Sequence, residues 1–115
     1  MEIEVHDIIH GTNECVVLRV VEDTNLWRYM MFPSGPSPQE SPNNSNRHSF
    51  FFNSNNVKAG DFIIVYSGVG RFRSYKNKGG STTYEYYWGL NKKLWPNDVN
   101  YVLICNISET ARYKK

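Results

Sequence analysis

Phe50-Phe51-Phe52-Asn53-Ser54-Asn55-Asn56-Val57-Lys58-Ala59-Gly60-Asp61-Phe62-Ile63-Ile64-Val65-Tyr66 is the stretch that decides the fold. An aromatic triplet and a polar turn lead to a run of β-branched and aromatic residues, and Gly60 permits a tight corner that a residue with a Cβ resists. The pattern predicts a strand at Phe50 to Phe52, a turn through Asn53 to Asn56, and a central strand over Phe62 to Tyr66. Lys58 and Asp61 are expected to keep the corner wet. Upstream, Glu4 to Ile9, Cys15 to Val21 and Arg28 to Phe32 have strand character. Downstream, Thr82 to Trp88 alternates, with Tyr84, Tyr86 and Trp88 on one face and Glu85 and Tyr87 on the other, and Val99 to Ile107 makes a closing strand. Helical spacing is sustained nowhere beyond about eight residues.

The fold expected is therefore all-β, a single immunoglobulin-like antiparallel β-sandwich of about seven strands over residues 1–115. At 115 residues and 13.4 kDa the chain can bury one core but not two. Pro33 to Asn46 holds four prolines and almost nothing to bury, which predicts a flexible Pro/Ser/Asn-rich loop at 33–46, and residues 108–115 form a short basic tail. The longest apolar runs are too short to span a bilayer as a helix, so no membrane association is expected. Acids rather than bases open the chain, and two cysteines, Cys15 and Cys105, are too few for a disulfide scaffold. Both features point to a cytoplasmic location. Cys15 and Cys105 would be core residues, able to touch only if the first and last strands are close.

Charge is unevenly spread. Residues 1–40 carry seven acids against two bases, and residues 41–115 four acids against eleven bases, so the halves stand at −5 and +7. Such asymmetry either orients a partner or is neutralised across a sheet, and neutralisation is the default expectation.

The Phe50 to Tyr66 stretch resembles the core motif of lamin tail domains, in which an aromatic strand and a polar turn lead to a Leu/Val-Lys-Ala/Pro-Gly-Asp/Gln corner and a hydrophobic strand. The resemblance extends upstream to Val16 to Val21 with Asp23-Thr24-Asn25-Leu26-Trp27-Arg28-Tyr29. Downstream it takes in Trp88-Gly89-Leu90, Leu94-Trp95-Pro96-Asn97 and Val99 to Asn106, so about residues 15–107 are covered in order. Trp27 and Arg28 stand where that family has small Ser-Gly residues, and the loop from Pro33 to Asn46 is longer than usual. The resemblance implies a stand-alone, non-enzymatic binding module with no catalytic residue and no cofactor. The pseudo-barrel of RNA-binding modules related to pseudouridine synthases also uses a Lys-x-Gly-Asp corner, but it carries helices.

Candidate sites follow from the side chains. Arg71, Arg73, Lys76, Lys78, Lys92 and Lys93, interleaved with Phe72, Tyr75, Tyr84, Tyr86 and Tyr87, have the cations and rings that bind single-stranded nucleic acid. The same residues suit a solvated hairpin whose lysines protect an exposed edge, and that is the expected reading. His6 and His10, at strand spacing, would lie about 13 Å apart, too far to chelate one metal ion directly. Glu85 has no second carboxylate near it in sequence and is expected to face solvent or pair with a lysine. Trp27, Trp88 and Trp95 read as corner, core and turn-packing residues, and an exposed tryptophan would mark a partner surface. A protein partner is the first expectation and single-stranded nucleic acid the alternative, with edge pairing into a homo-oligomer left open.

Overall fold

A computed structural model describes residues 1–33, 48–95 and 101–115. Ten strand segments form: β1 (Ile3–Ile9), β2 (Cys15–Val20), β3 (Thr24–Asn25), β4 (Tyr29–Pro33), β5 (Phe50–Phe51), β6 (Asn56–Val57), β7 (Phe62–Tyr66), β8 (Arg73–Lys76), β9 (Thr82–Tyr87) and β10 (Val102–Asn106). One 3₁₀ turn, Leu26–Arg28, is the only helical element among the described residues. The all-β expectation holds. Seven strands have four or more residues, and the other three are two-residue pairings.

Five strands make one sheet in the order β1-β2-β7-β9-β8, three make a second in the order β10-β4-β5, and β3 pairs with β6. The central position of Phe62–Tyr66 is as expected. The larger sheet departs from antiparallel order, because β7 and β9 run parallel, Ile63 opposite Tyr84 and Val65 opposite Tyr86. The physical cause lies in the β8–β9 hairpin. Arg73-Ser74-Tyr75-Lys76 is exposed at every position, whereas β9 offers Thr83, Glu85 and Tyr86 for burial, so β9 takes the inner place and β8 the edge.

Alternation sorts the larger sheet into two faces. Val16, Leu18 and Val20 of β2, with Ile63 and Val65 of β7, are fully buried and meet Leu26, Tyr29, Met31, Phe52, Val57 and Trp95. Aromatic edges join the two sheets, Phe50 and Phe52 lying 6.0 and 5.3 Å from the Tyr86 ring. The opposite face carries Val17, Phe62, Ile64, Tyr66 and Tyr87, all part-exposed.

The Gly60 corner forms with φ +94, as its sequence requires. Asp61, however, is buried rather than wet. Its carboxylate accepts from the Lys58 and Thr82 backbone N–H groups, both at 2.9 Å, and so clamps the corner to the start of β9. Beyond Pro33, the loop expected at 33–46 lies outside the described residues, as do the turn after Trp95 and the first residues of the expected closing strand. Residues 108–115 are exposed and have no regular structure. No described helix is long and apolar enough to cross a membrane.

Candidate functional site

Arg71, Arg73, Tyr75, Lys76, Lys78, Lys92 and Lys93 of the basic segment are all exposed and divide among different surfaces, whereas its Tyr86 is buried and Tyr84 and Tyr87 are half-buried. Arg73 and Tyr75 project from β8 on the face that holds Glu85, with the Arg73 guanidinium 5.5 Å from the Tyr75 ring centre. Lys76 lines a groove of about 470 Å³ with Lys58, Tyr84 and the hairpin tip at Gly79 and Gly80. Lys78 belongs to that tip, and Arg71 precedes β8. Lys92 and Lys93 line a separate hollow of about 340 Å³ with Glu14, Tyr66 and Tyr87. The segment therefore does not make one continuous cationic surface.

Glu85 overturns its expected place in solvent. It is 3 % exposed and accepts from Arg73 Nε at 2.5 Å, from the Tyr75 hydroxyl at 3.2 Å and from the Tyr66 hydroxyl at 3.5 Å. Its cation is an arginine, not a lysine. A carboxylate so enclosed is occupied by its own sheet, and Arg73 is spent on holding it, its own pKa raised by the Glu85 bond and charge. Burial and the Glu85 charge push the Tyr66 phenol up to about 12. Tyr66 stacks on Tyr87 at 4.9 Å, and the link from β7 to β8 passes so close that a Cβ at Gly70 would lie 2.4 Å from the Tyr87 ring.

Trp27 is the feature that sequence reasoning placed at a corner and that the structure puts on the surface. It is 48 % exposed, while Trp95 is fully buried and Trp88 packs on Phe50 and Trp95. Its backbone is held firmly. The Asn25 side chain accepts from the Trp27 N–H at 3.0 Å and the Asn55 N–H at 3.1 Å, and donates to Ser54 Oγ and Asn56 Oδ1. The ring borders a groove of about 650 Å³ lined also by Glu2, Glu22, Asp23, Arg28 and Lys58. The Tyr29 hydroxyl donates to Glu2, which draws the Glu2 carboxyl below its ordinary pKa. Asp23 accepts from the Ala59 N–H at 2.9 Å, and Glu22 is exposed beside the ring. The signal available in the sequence was Trp27-Arg28 itself, two bulky residues where the resembled family has small ones.

The remaining candidates fall elsewhere. His6 packs edge-on against Phe62 at 5.7 Å, and His10 Nδ1 lies 2.8 Å from the Trp95 carbonyl oxygen. Glu14, absent from the sequence-based candidates, is 2 % exposed and accepts from the Leu94 and Trp95 N–H groups at 2.6 and 3.1 Å, fixing the segment that seats Trp95 in the core. Cys15 and Cys105 are free thiols in different sheets, and burial with nearby Asp7, Glu85 and Glu14 pushes the Cys15 thiol up to about 11. Arg19 pairs with Glu4 and Arg73 with Glu85, each pair within its own half, and no ion pair joins the two charged halves among the described residues. Compared with protein-family models, with curated proteins and with solved structures, the chain matches none.

Proposed function

We propose that the chain is a non-enzymatic binding module of immunoglobulin-like, lamin-tail type that anchors a protein partner on Trp27. The observation that carries this is a large ring, half exposed, on a 3₁₀ turn capped by Asn25, whose side chain accepts from the Trp27 N–H and ties the turn to Ser54, Asn55 and Asn56. An aromatic anchor already held in place loses little freedom on binding, which is how a few residues come to supply most of an interface's affinity. The exposed Glu22 beside it, in a lining that also holds Arg28 and Lys58, suits a partner segment of mixed charge. The lamin-tail assignment rests on the order of the motifs and on the Gly60 corner. Affinity capture from the native host with the chain and its Trp27→Ala variant tests the reading. A partner retained by the parent and lost at least about tenfold with the variant, at unchanged thermal stability, supports it. Equal retention by both overturns Trp27 as the anchor.

A second reading, single-stranded nucleic acid, is favoured by the groove that places Lys58 and Lys76 beside Tyr84. Fluorescence anisotropy of labelled single-stranded DNA and RNA at low and moderate salt separates the two. Salt-sensitive binding abolished by neutralising Lys58, Arg71, Lys76 and Lys78 together would put this reading first, and silence at micromolar protein would remove it.

A further inference from the structure

We propose that the two edges of the five-stranded sheet bind each other between copies of the chain, the acidic edge β1 of one copy pairing with the basic edge β8 of the next. Among the described residues the sheet order gives β1 and β8 a single strand neighbour each, so alternate backbone N–H and C=O groups on their outer sides have no ladder partner among them. Strand direction permits the match. β1 runs antiparallel to β2, β2 antiparallel to β7, β7 parallel to β9, and β9 antiparallel to β8. It follows that β1 and β8 run in opposite senses within one sheet. A second copy set alongside in the same orientation therefore presents its β1 antiparallel to the first copy's β8.

Charge then selects this pairing over the others. Glu4 and Asp7 lie on β1, and Arg71, Lys76 and Lys78 on β8 and its flanks, Glu2 before β1 being held by Tyr29 and Arg73 by Glu85. Of these, Glu4 has only a contact of 3.9 Å to Arg19 with both side chains about half exposed, and Lys76 and Lys78 have no acid within ion-pair distance among the described residues. Two β8 edges would bring like charges together, and so would two β1 edges, which disfavours either symmetric dimer. The lysines that guard β8 against arbitrary edges thus admit an acidic one. Apolar surface is available to bury on both sides: Val5 and Ile9 on β1 are 39 % and 45 % exposed, and Phe72 and Tyr75 are 51 % and 42 % exposed. The contact is heterologous, so each copy keeps one free edge for the next.

This inference uses the sheet edges rather than the Trp27 groove, and purified chain alone tests it, so its failure leaves the partner reading untouched. The average mass is followed by sedimentation and light scattering from tens to hundreds of micromolar chain, at about 20 mM and about 500 mM salt, since a four-residue edge held by surface charge associates weakly and is screened. The expected result is mass rising with concentration beyond two chains at low salt and falling to the 13.4 kDa monomer at high salt. Glu4→Lys with Asp7→Lys, and separately Lys76→Glu with Lys78→Glu, should each hold the chain monomeric, and mixing the two variants should restore growth because each then offers the other's complement. Monomer throughout, a stop at two chains, association undiminished in either variant, or a mixture that stays monomeric would each overturn the proposal. Should a charge-reversed variant fail to fold, the neutral set Glu4→Gln, Asp7→Asn, Lys76→Gln and Lys78→Gln replaces it, and growth equal to the parent's would then overturn the proposal.

Discussion

Glu85 and Tyr66 illustrate how one residue's surroundings reverse its expected behaviour. A glutamate within a run of tyrosines has no periodicity that reveals whether it is covered, and the neighbour that covers it, Arg73, is fixed only once β8 folds back on β9. The consequence is measurable at high pH. The Tyr66 phenol, ordinarily near 10, is raised to about 12, first by burial and then by the Glu85 charge. Because the folded-state pKa lies above the unfolded one, the associated stability is whole below about pH 10 and is lost as pH rises through about 12. Tyr29, Tyr75 and Tyr86 are also raised, burial leading in each case, so the fold should fail cooperatively in that alkaline window. Circular dichroism against pH should place the unfolding of the Tyr66→Phe variant at higher pH than that of the parent. An unchanged or lower alkaline midpoint would mean that Tyr66 ionises freely in the folded chain.

Among the elements, those with a repeating pattern were legible and those made by a partner were not. Val16, Leu18 and Val20 announce an inward face by alternation, and Phe62 to Tyr66 announces the centre of a sheet by its unbroken apolar run. The parallel register of β7 and β9 has no local signature, because it depends on which strand of the later hairpin is the more buriable. Trp27 escaped for a related reason: its exposure is set by Asn25 and by the distant Asn55 and Asn56. The Asp61 clamp belongs to the same class, a corner residue whose second bond reaches across to Thr82. Asp61→Ala removes a buried acceptor from two backbone donors and should cost about 2–4 kcal/mol, since bonds to a charged acceptor contribute about 1.5–3 kcal/mol each and two at one site are not additive. Amide hydrogen exchange should report faster exchange at Lys58 and Thr82 in that variant. Protection retained at Thr82 would show that the clamp is not what seats β9.

For the whole molecule, separation along the chain is the controlling quantity. Cys15 lies opposite Tyr66 in the β2–β7 ladder, and Pro33 lies opposite Val102 in the β4–β10 ladder, so both sheets close only after long stretches of chain have been brought together. The charges are distributed by the same topology: the acidic first strand and the basic hairpin end at opposite edges of one sheet, and no ion pair joins the −5 and +7 halves among the described residues. Described residues with one short 3₁₀ turn and mainly non-local ladders give little local structure to nucleate on, and loop closure must come before the contacts that repay it. Refolding from denaturant should therefore take about a millisecond to seconds rather than microseconds. Stopped-flow tryptophan fluorescence can follow it, because Trp95 passes from water to full burial whereas Trp27 stays half exposed. The Trp27→Phe variant should keep most of the amplitude and the same rate. Complete refolding within about 100 microseconds would contradict the non-local order of assembly, since a core that closes so quickly could not have waited for β2 to find β7.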